Sequence, residues 1–397
     1  MTLLEQLKTG SHEIFDEVKN IRRHLHAHPE LSKLEKETSA YICRQLDAYG
    51  ISYKTFEKHY GILAQIEGLN PSSKVVALRA DMDALPINEK NDVSYKSQNK
   101  GVMHACGHDA HTAILLGTAK LLNRFKTNFS GTIKLIFQPS EECYPGGAIM
   151  MIEDGVLNNP EVDVVIGQHV IPTIDSGKIG IKKGMSMAST DEIYITVKGK
   201  GGHAATPDLN TDPIAIGAQI ITALQQIVSR KAPPHIPTVI SFGRFIADGK
   251  VNIIPDEVNI EGTIRTFNEN WRAEAHRHIE KITTDIASAF GATALVNIEK
   301  GYPFLVNDAA LTERCTMAAQ EMLGIENVEQ MDIRMTAEDF AYFSQMKPSC
   351  FFRLGIKNTA IGITSNLHTA TFDIDEEALI TGIEAMAWMA LKELDVV

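Results

Sequence analysis

Apolar positions along the chain follow two different rhythms. In the opening segment Ile14, Val18, Ile21 and Leu25 recur at helical spacing. Ser11 stands ahead of them as a capping residue and Pro29 stops the run, which predicts one helix starting at Ser11. A second helical stretch is predicted over about 35–49, with Gly50 as its terminator. Beyond it, runs of strand formers at 61–67, 74–80, 132–138, 162–168 and 350–355 are separated by helical segments, one of them at 110–122. The runs VVALRA, IKLIF and VDVVIG are almost continuously apolar, as strands covered on both faces are. This alternation predicts an α/β domain with a mostly parallel, helix-covered sheet.

The rhythm changes between 189 and 299. A strand at 192–198 leads through a glycine-rich turn into a helix with Asp212 as N-cap and Pro213 as first helical residue. Strands at 238–247 and 257–266, a helix at 270–290 and a strand at 292–299 follow. The order β-α-β-β-α-β is that of a ferredoxin-like α+β sandwich. We therefore read 189–299 as a domain inserted into one made of 1–188 and 300–397, which resumes with helices at 311–323 and 376–394.

Length and charge narrow the class. The 397 residues suit two or three domains. Lys plus Arg number 38 against 50 Asp plus Glu, a formal net charge of −12, so the broad positive field selected by nucleic acid or anionic membranes is lacking. No apolar stretch approaches the roughly 18 residues of a spanning helix, and the N-terminus does not read as a signal peptide. Five scattered cysteines without a CxxC pair form no disulfide framework, so a soluble cytoplasmic protein is expected. P-loop, HExxH, GxSxG and dinucleotide glycine signatures are absent.

Candidate chemistry gathers where predicted strands end. VVALRA runs into Asp81 and Asp83, IKLIFQP into Glu141 and Glu142, VDVVIGQ into His169, and CFFRLGI leads after a loop to His368. Parallel strands open their loops on one edge, which brings such residues together without a local motif. The densest cluster is MHACGHDAH, where Cys106 and His108 are two apart and could grip one ion. Thiolate, imidazole and carboxylate together suit zinc or another borderline divalent metal. Adjacent glutamates are most often an exposed pair; here their place after an apolar strand lets one bind metal while the other takes a proton from water. Asp81 and Asp83 share a face and one can orient a ligating histidine, or both can be a solvated turn before Pro86. His203, behind Gly199, Gly201 and Gly202, is a candidate oxyanion donor, and Asn252 and Arg265 are candidate substrate contacts; each is otherwise an ordinary loop or strand residue. His24, His26 and His28 are left out, because stabilisation at a helix C-terminus explains them.

The motifs RADMDALP, MHACGHDAHTAILLG, FQPSEE, GQHV, GKGGHAATP, VNIIPDEV, GTIRTF, AEDFAYF and LHTATFDIDEEAL occur in that order over nearly the whole chain. Together they resemble the metallo-amidohydrolase family of hippurate hydrolase, aminoacylase-like N-acyl-amino-acid hydrolases and plant indole-acetyl-amino-acid hydrolases. The resemblance implies a phosphorylase/hydrolase-like catalytic domain holding two divalent ions per subunit, zinc, manganese or cobalt, and an inserted lid domain that also forms a homodimer. By motif position Cys106, His108, Glu142, His169 and His368 would be the metal ligands, with Cys106 bridging. Glu141 would be the general base, His203 the oxyanion donor, and Asn252 and Arg265 would hold the substrate. Asp83 is placed with Glu141 and His203 in the catalytic set. One departure is that the superfamily's aminopeptidase branch has a ligating histidine where Asp81 stands; that fits the amidohydrolase branch, in which Cys106 enters the metal shell.

The expected reaction is hydrolysis of an N-acyl amino acid to a carboxylate and a free amino acid. A diaminopimelate-type deacetylase and a broad carboxypeptidase are the rivals within that chemistry. From other classes, a non-catalytic metal or peptide-binding module and a cysteine hydrolase using Cys106 stand as alternatives.

Overall fold

The continuous apolar runs become the centre of an eight-stranded sheet in the computed structural model, which describes residues 1–396. The strand order is Ser52–Thr55, Ile62–Glu67, Thr132–Gln138, Val75–Asp81, Val164–Asp175, Ser349–Lys357, Ile179–Ile181, Val328–Gln330. Val75–Asp81 lies parallel to both its neighbours, and Val164–Asp175 parallel to Ser349–Lys357. Antiparallel pairings flank this parallel centre. Every residue of Val75–Asp81 and Thr132–Gln138 is buried, because helices cover the sheet. His108–Arg124 and Ala378–Glu393 are themselves almost wholly buried, and side chains such as Ile114, Leu116, Ile383 and Leu391 join one core. Each large aliphatic chain so buried contributes about 1.5–3 kcal/mol.

Two local expectations are corrected. The first helix starts at Leu3, because Thr2 and Glu5 form a capping box that satisfies its first amides. Ser11 is therefore no cap: it sits in that helix's last turn, buried, and donates to Glu384 Oε1 at 2.7 Å. A second helix, Phe15–Ala27, carries the periodic Val18, Ile21 and Leu25. The strand expected to end at 168 continues to Asp175, carrying His169 in its interior.

The chain divides into two compact units: residues 1–186, 306–332 and 339–397, and residues 187–305 with 333–338. In the second, an antiparallel sheet has the order Thr238–Ile246, Glu257–Thr266, Asp191–Lys198, Thr293–Lys300. Its helices are Pro213–Gln226, capped by Asp212, and Glu269–Ala289, capped by Asn268. Ile193, Ile195, Ile220, Leu224, Ile260 and Ile279 belong to this unit's own core. Among the described residues no helix is long and apolar enough to cross a membrane.

Candidate metal centre

Strand ends and special backbone conformations assemble the site. Val75–Asp81 delivers Asp81 and, two residues on, Asp83, both buried. His108 opens the helix His108–Arg124 behind Gly107, whose φ of +83° belongs to the left-handed region. A Cβ at Gly107 would stand 2.4 Å from Val170 Cγ2, so only glycine lets the helix start this close to the strand bearing His169. After Thr132–Gln138 the chain turns through Ser140, a serine held at φ +56°, and presents Glu141 and Glu142. His368 donates its backbone N–H to Ala105 O at 2.8 Å, tying its loop to the Cys106 turn.

All five expected ligands converge. Cys106 Sγ lies 3.3 Å from His169 Nε2 and 3.3 Å from His368 Nε2. Glu142 Oε1 is 3.3 Å from His368 Nε2 and 4.0 Å from His108 Nε2. The sets Cys106–His108–His169, Cys106–Glu142–His368 and His108–Glu141–Glu142 each bring ligand atoms within 4.8 Å of one another. The His368 side chain, 54% exposed, marks the open side of a cluster in which Cys106, His108 and His169 are buried and Glu142 is partly so.

The hydrogen bonds behind these residues decide which atoms point inward. Asp83 Oδ1 faces His108 Nδ1 at 3.1 Å, and a carboxylate can only accept, so Nδ1 carries a proton and Nε2 is the nitrogen that faces the cluster. His169 Nδ1 is 2.6 Å from Val170 O, which turns its Nε2 the same way. His108 Nε2 and Glu142 Oε1 are buried and find no hydrogen-bond partner among the described residues. Lone pairs of imidazole and carboxylate aimed beside a thiol are what a borderline divalent cation requires, so the residues fit a metal. Asp81, His108 and His111 also approach one another, but Asp81 and His111 are engaged with other partners. His111 Nδ1 donates to Asp81 Oδ1 at 2.6 Å, and its Nε2 accepts from Val170 N at 2.9 Å.

Charge tells the same story. Burial opposes a charged His108, yet Asp81, Asp83 and Glu142 raise it to about 10. Burial, then Glu142, Glu141 and Asp81, push the Cys106 thiol well above its ordinary value. A cluster that holds protons this tightly exchanges them for a cation when one binds.

Asp83 also accepts from Ser32 Oγ at 2.7 Å and from Glu142 N at 2.9 Å, so its contacts are those of a positioning group. Glu141 is buried, and its Oε1 faces Asp339 N at 3.4 Å. Asp339 in turn accepts from Arg79 Nη2 at 2.8 Å, Gln138 Nε2 at 2.8 Å and Ala148 N at 3.0 Å. His111, Arg79, Gln138 and Asp339 were missed at the sequence level. A lone arginine inside an apolar strand was the available signal for Arg79, and its position three residues beyond His108 on one helix was the signal for His111.

The other expected site residues belong to the second unit. His203 is exposed on the short strand Gly202–His203, paired with Ile253–Ile254, and its Nδ1 accepts from Ala205 N at 3.0 Å. Ala204 N donates to Asn252 O at 3.1 Å, so His203 and Asn252 share one corner. Arg265 lies near the other end of Glu257–Thr266, beside Tyr194 and Arg244 in an open groove of ≈ 450 Å³.

His26 lies in the last turn of Phe15–Ala27, as expected, and is buried with Nδ1 2.7 Å from Asp109 Oδ2 and Nε2 3.2 Å from Glu89 Oε1, so a carboxylate network adds to the helix terminus.

Glu35 supplies a pH prediction. Burial, opposed by its hydrogen bonds and reinforced by Asp83, pushes its carboxyl up to about 7 from an ordinary value near 4.5. Between those values the folded metal-free protein holds a proton that the unfolded chain has lost, so stability falls as pH rises through the window and levels off above 7. Glu35→Gln should lose this slope; urea midpoints at pH 5 and 8 that shift equally in both proteins would refute it.

Three comparisons place the chain. The description "Peptidase family M20/M25/M40" matches residues 77–392. An N-acyl-L-amino acid amidohydrolase of Geobacillus stearothermophilus is 44% identical, over 76% of this chain and 81% of that one. Thermostable carboxypeptidase 2 of Saccharolobus solfataricus is 42% identical over 99% of both chains. A solved Bacillus subtilis structure, described as a dinuclear metal binding peptidase from the M20 family, superposes with TM-score 0.82 at 35% identity, covering 97% of this chain and all of that one. With the family matched over most of its length and the ligand cluster in place, the chain belongs to peptidase family M20/M25/M40 and is a metal-dependent amidohydrolase.

Proposed function

We propose that this enzyme cleaves the amide bond of N-acyl amino acids, releasing a carboxylate and a free amino acid. The observation that carries the reading is the buried carboxyl of Glu141 beside, and in sequence next to, a ligand cluster open on its His368 side. Cys106, His108, Glu142, His169 and His368 would hold two divalent ions. Ions bound there supply Lewis acidity toward the amide carbonyl and acidify water. Glu141 takes the proton of the attacking water and returns it to the leaving nitrogen. Asp83 and the Val170 carbonyl keep His108 and His169 in the ligating tautomer.

In the second unit His203 would donate to the carbonyl oxygen as charge develops, and Asn252 and Arg265 would hold the substrate. That unit would act as lid and as the surface joining two copies of the chain. His203→Ala is expected to lower turnover about 10²–10³-fold, the usual loss for one oxyanion donor, with metal content unchanged. Turnover equal to that of the native protein would remove His203 from the reaction.

The reading is tested by free-amine release from N-acetyl, N-benzoyl and indole-acetyl amino acids with added manganese, zinc or cobalt. Metal-dependent release abolished by chelation supports it; release that survives chelation would favour a thiol hydrolase using Cys106. A second reading, carboxypeptidase action, is favoured by the 42% identity to thermostable carboxypeptidase 2. Blocked dipeptides in the same panel separate the two.

A further inference from the structure

Glu35 is a fully buried carboxyl held by the backbone N–H and the hydroxyl of Ser140, and burying a carboxyl is unfavourable unless hydrogen bonds satisfy it. Its Oε1 accepts from both Ser140 N at 2.8 Å and Ser140 Oγ at 2.9 Å, while Oε2 is buried without a partner among the described residues. Ser140 Oγ also accepts from Lys33 N at 2.9 Å. Ser140 is the residue before Glu141, and its φ of +56° is a conformation that L side chains adopt only when something holds them there. The same loop reaches the far side of the pair: Ser32 holds Asp83, and Asp83 accepts from Glu142 N. Residues 32–35 thus grip the Glu141–Glu142 segment at both ends.

We propose that Glu35 is a positioning residue: by clamping Ser140 in the left-handed conformation it aims Glu141 and Glu142 into the metal-ligand cluster. The proposal rests on the metal-dependent reading of that cluster. It explains why a carboxyl is buried where it touches none of the ligands, and why a serine occupies a backbone position that glycine adopts freely.

The test compares Glu35→Gln, Glu35→Met and the double variant Glu35→Met with Ser140→Gly. Gln keeps the Oε1 acceptor; Met fills the same space without one. Glycine accepts positive φ unaided, so it should partly replace the clamp. Metal-depleted full-length protein is titrated with cobalt, followed by its visible absorption, and kcat and KM are measured separately. Glu35→Gln is expected to bind cobalt as the native protein does. Glu35→Met should weaken cobalt binding about 10–100-fold, as loss of a group supporting a ligand does, and lower kcat at least 10-fold with little change in KM. The double variant should recover a large part of both losses. Should Glu35→Met fail to fold, Glu35→Ala takes its place.

Native cobalt affinity and kcat in Glu35→Met would overturn the proposal, as would Gln failing as badly as Met, or no recovery in the double variant. Absence of amidase activity in the native protein, with the cobalt order intact, would instead sink the functional reading and leave the role of Glu35 standing.

Discussion

Replacing Glu141 by Gln is expected to lower kcat by about 10²–10⁴-fold, the usual contribution of a positioned general base, with both metal ions still bound. Gln preserves shape and the contact with Asp339 N but cannot take a proton. The side chains proposed as ligands, Cys106, His108, Glu142, His169 and His368, are untouched by this change, so metal content by elemental analysis should equal that of the native protein. The two measurements separate base from ligand. Loss of metal along with activity would make Glu141 a ligand; full activity with metal retained would move the base elsewhere.

The second large effect is on stability. Arg22→Met is expected to destabilise the first unit by about 3–5 kcal/mol, because it removes the cation from a buried, multiply paired network. Arg22 is fully buried; its Nε donates to Asp109 Oδ2 at 2.8 Å and its Nη2 to Asp373 Oδ1 at 2.8 Å. Its guanidinium also lies 4.9 Å from the Tyr95 ring, and Tyr95 donates to Asp373 Oδ2 at 2.8 Å. Without the arginine, Asp109, one residue from His108, loses its guanidinium partner and keeps the hydrogen bond to His26. Against the cost of burial, Arg22 and His26 hold the Asp109 carboxyl well below the usual carboxylate range. Its contribution is therefore present above the unfolded value near 3.8 and fades as pH falls through the depressed folded value. Urea denaturation at pH 7 reads the loss; a change under about 1 kcal/mol would show that the network carries no stability.

The residues proposed as ligands stand out in the sequence because metal chemistry restricts residue type. Cys106 with His108, the Glu141–Glu142 pair at a strand end, and His169 and His368 stand out against the apolar runs that precede them. The residues behind them were not legible, since a carboxylate that orients a histidine looks in sequence like any buried or solvated acid. Glu35, Asp339 and His111 acquire their roles from partners 105, 198 and 59 positions away, to Ser140, Glu141 and Val170. The opening helix was misread for a related reason: Thr2 and Glu5 compete with Ser11 as a starting signal, and a cap is chosen by which amides are left unsatisfied.

Hydrophobic periodicity determined by itself the alternating α/β segments and the inserted β-α-β-β-α-β block, because burial of a face imposes a period that can be counted locally. Tertiary structure alone decided the strand order, the tautomers of His108 and His169, the left-handed turn at Ser140 and the charge state of buried groups. These depend on distances between residues far apart in sequence, and on a desolvation that exists only once the chain has closed around them.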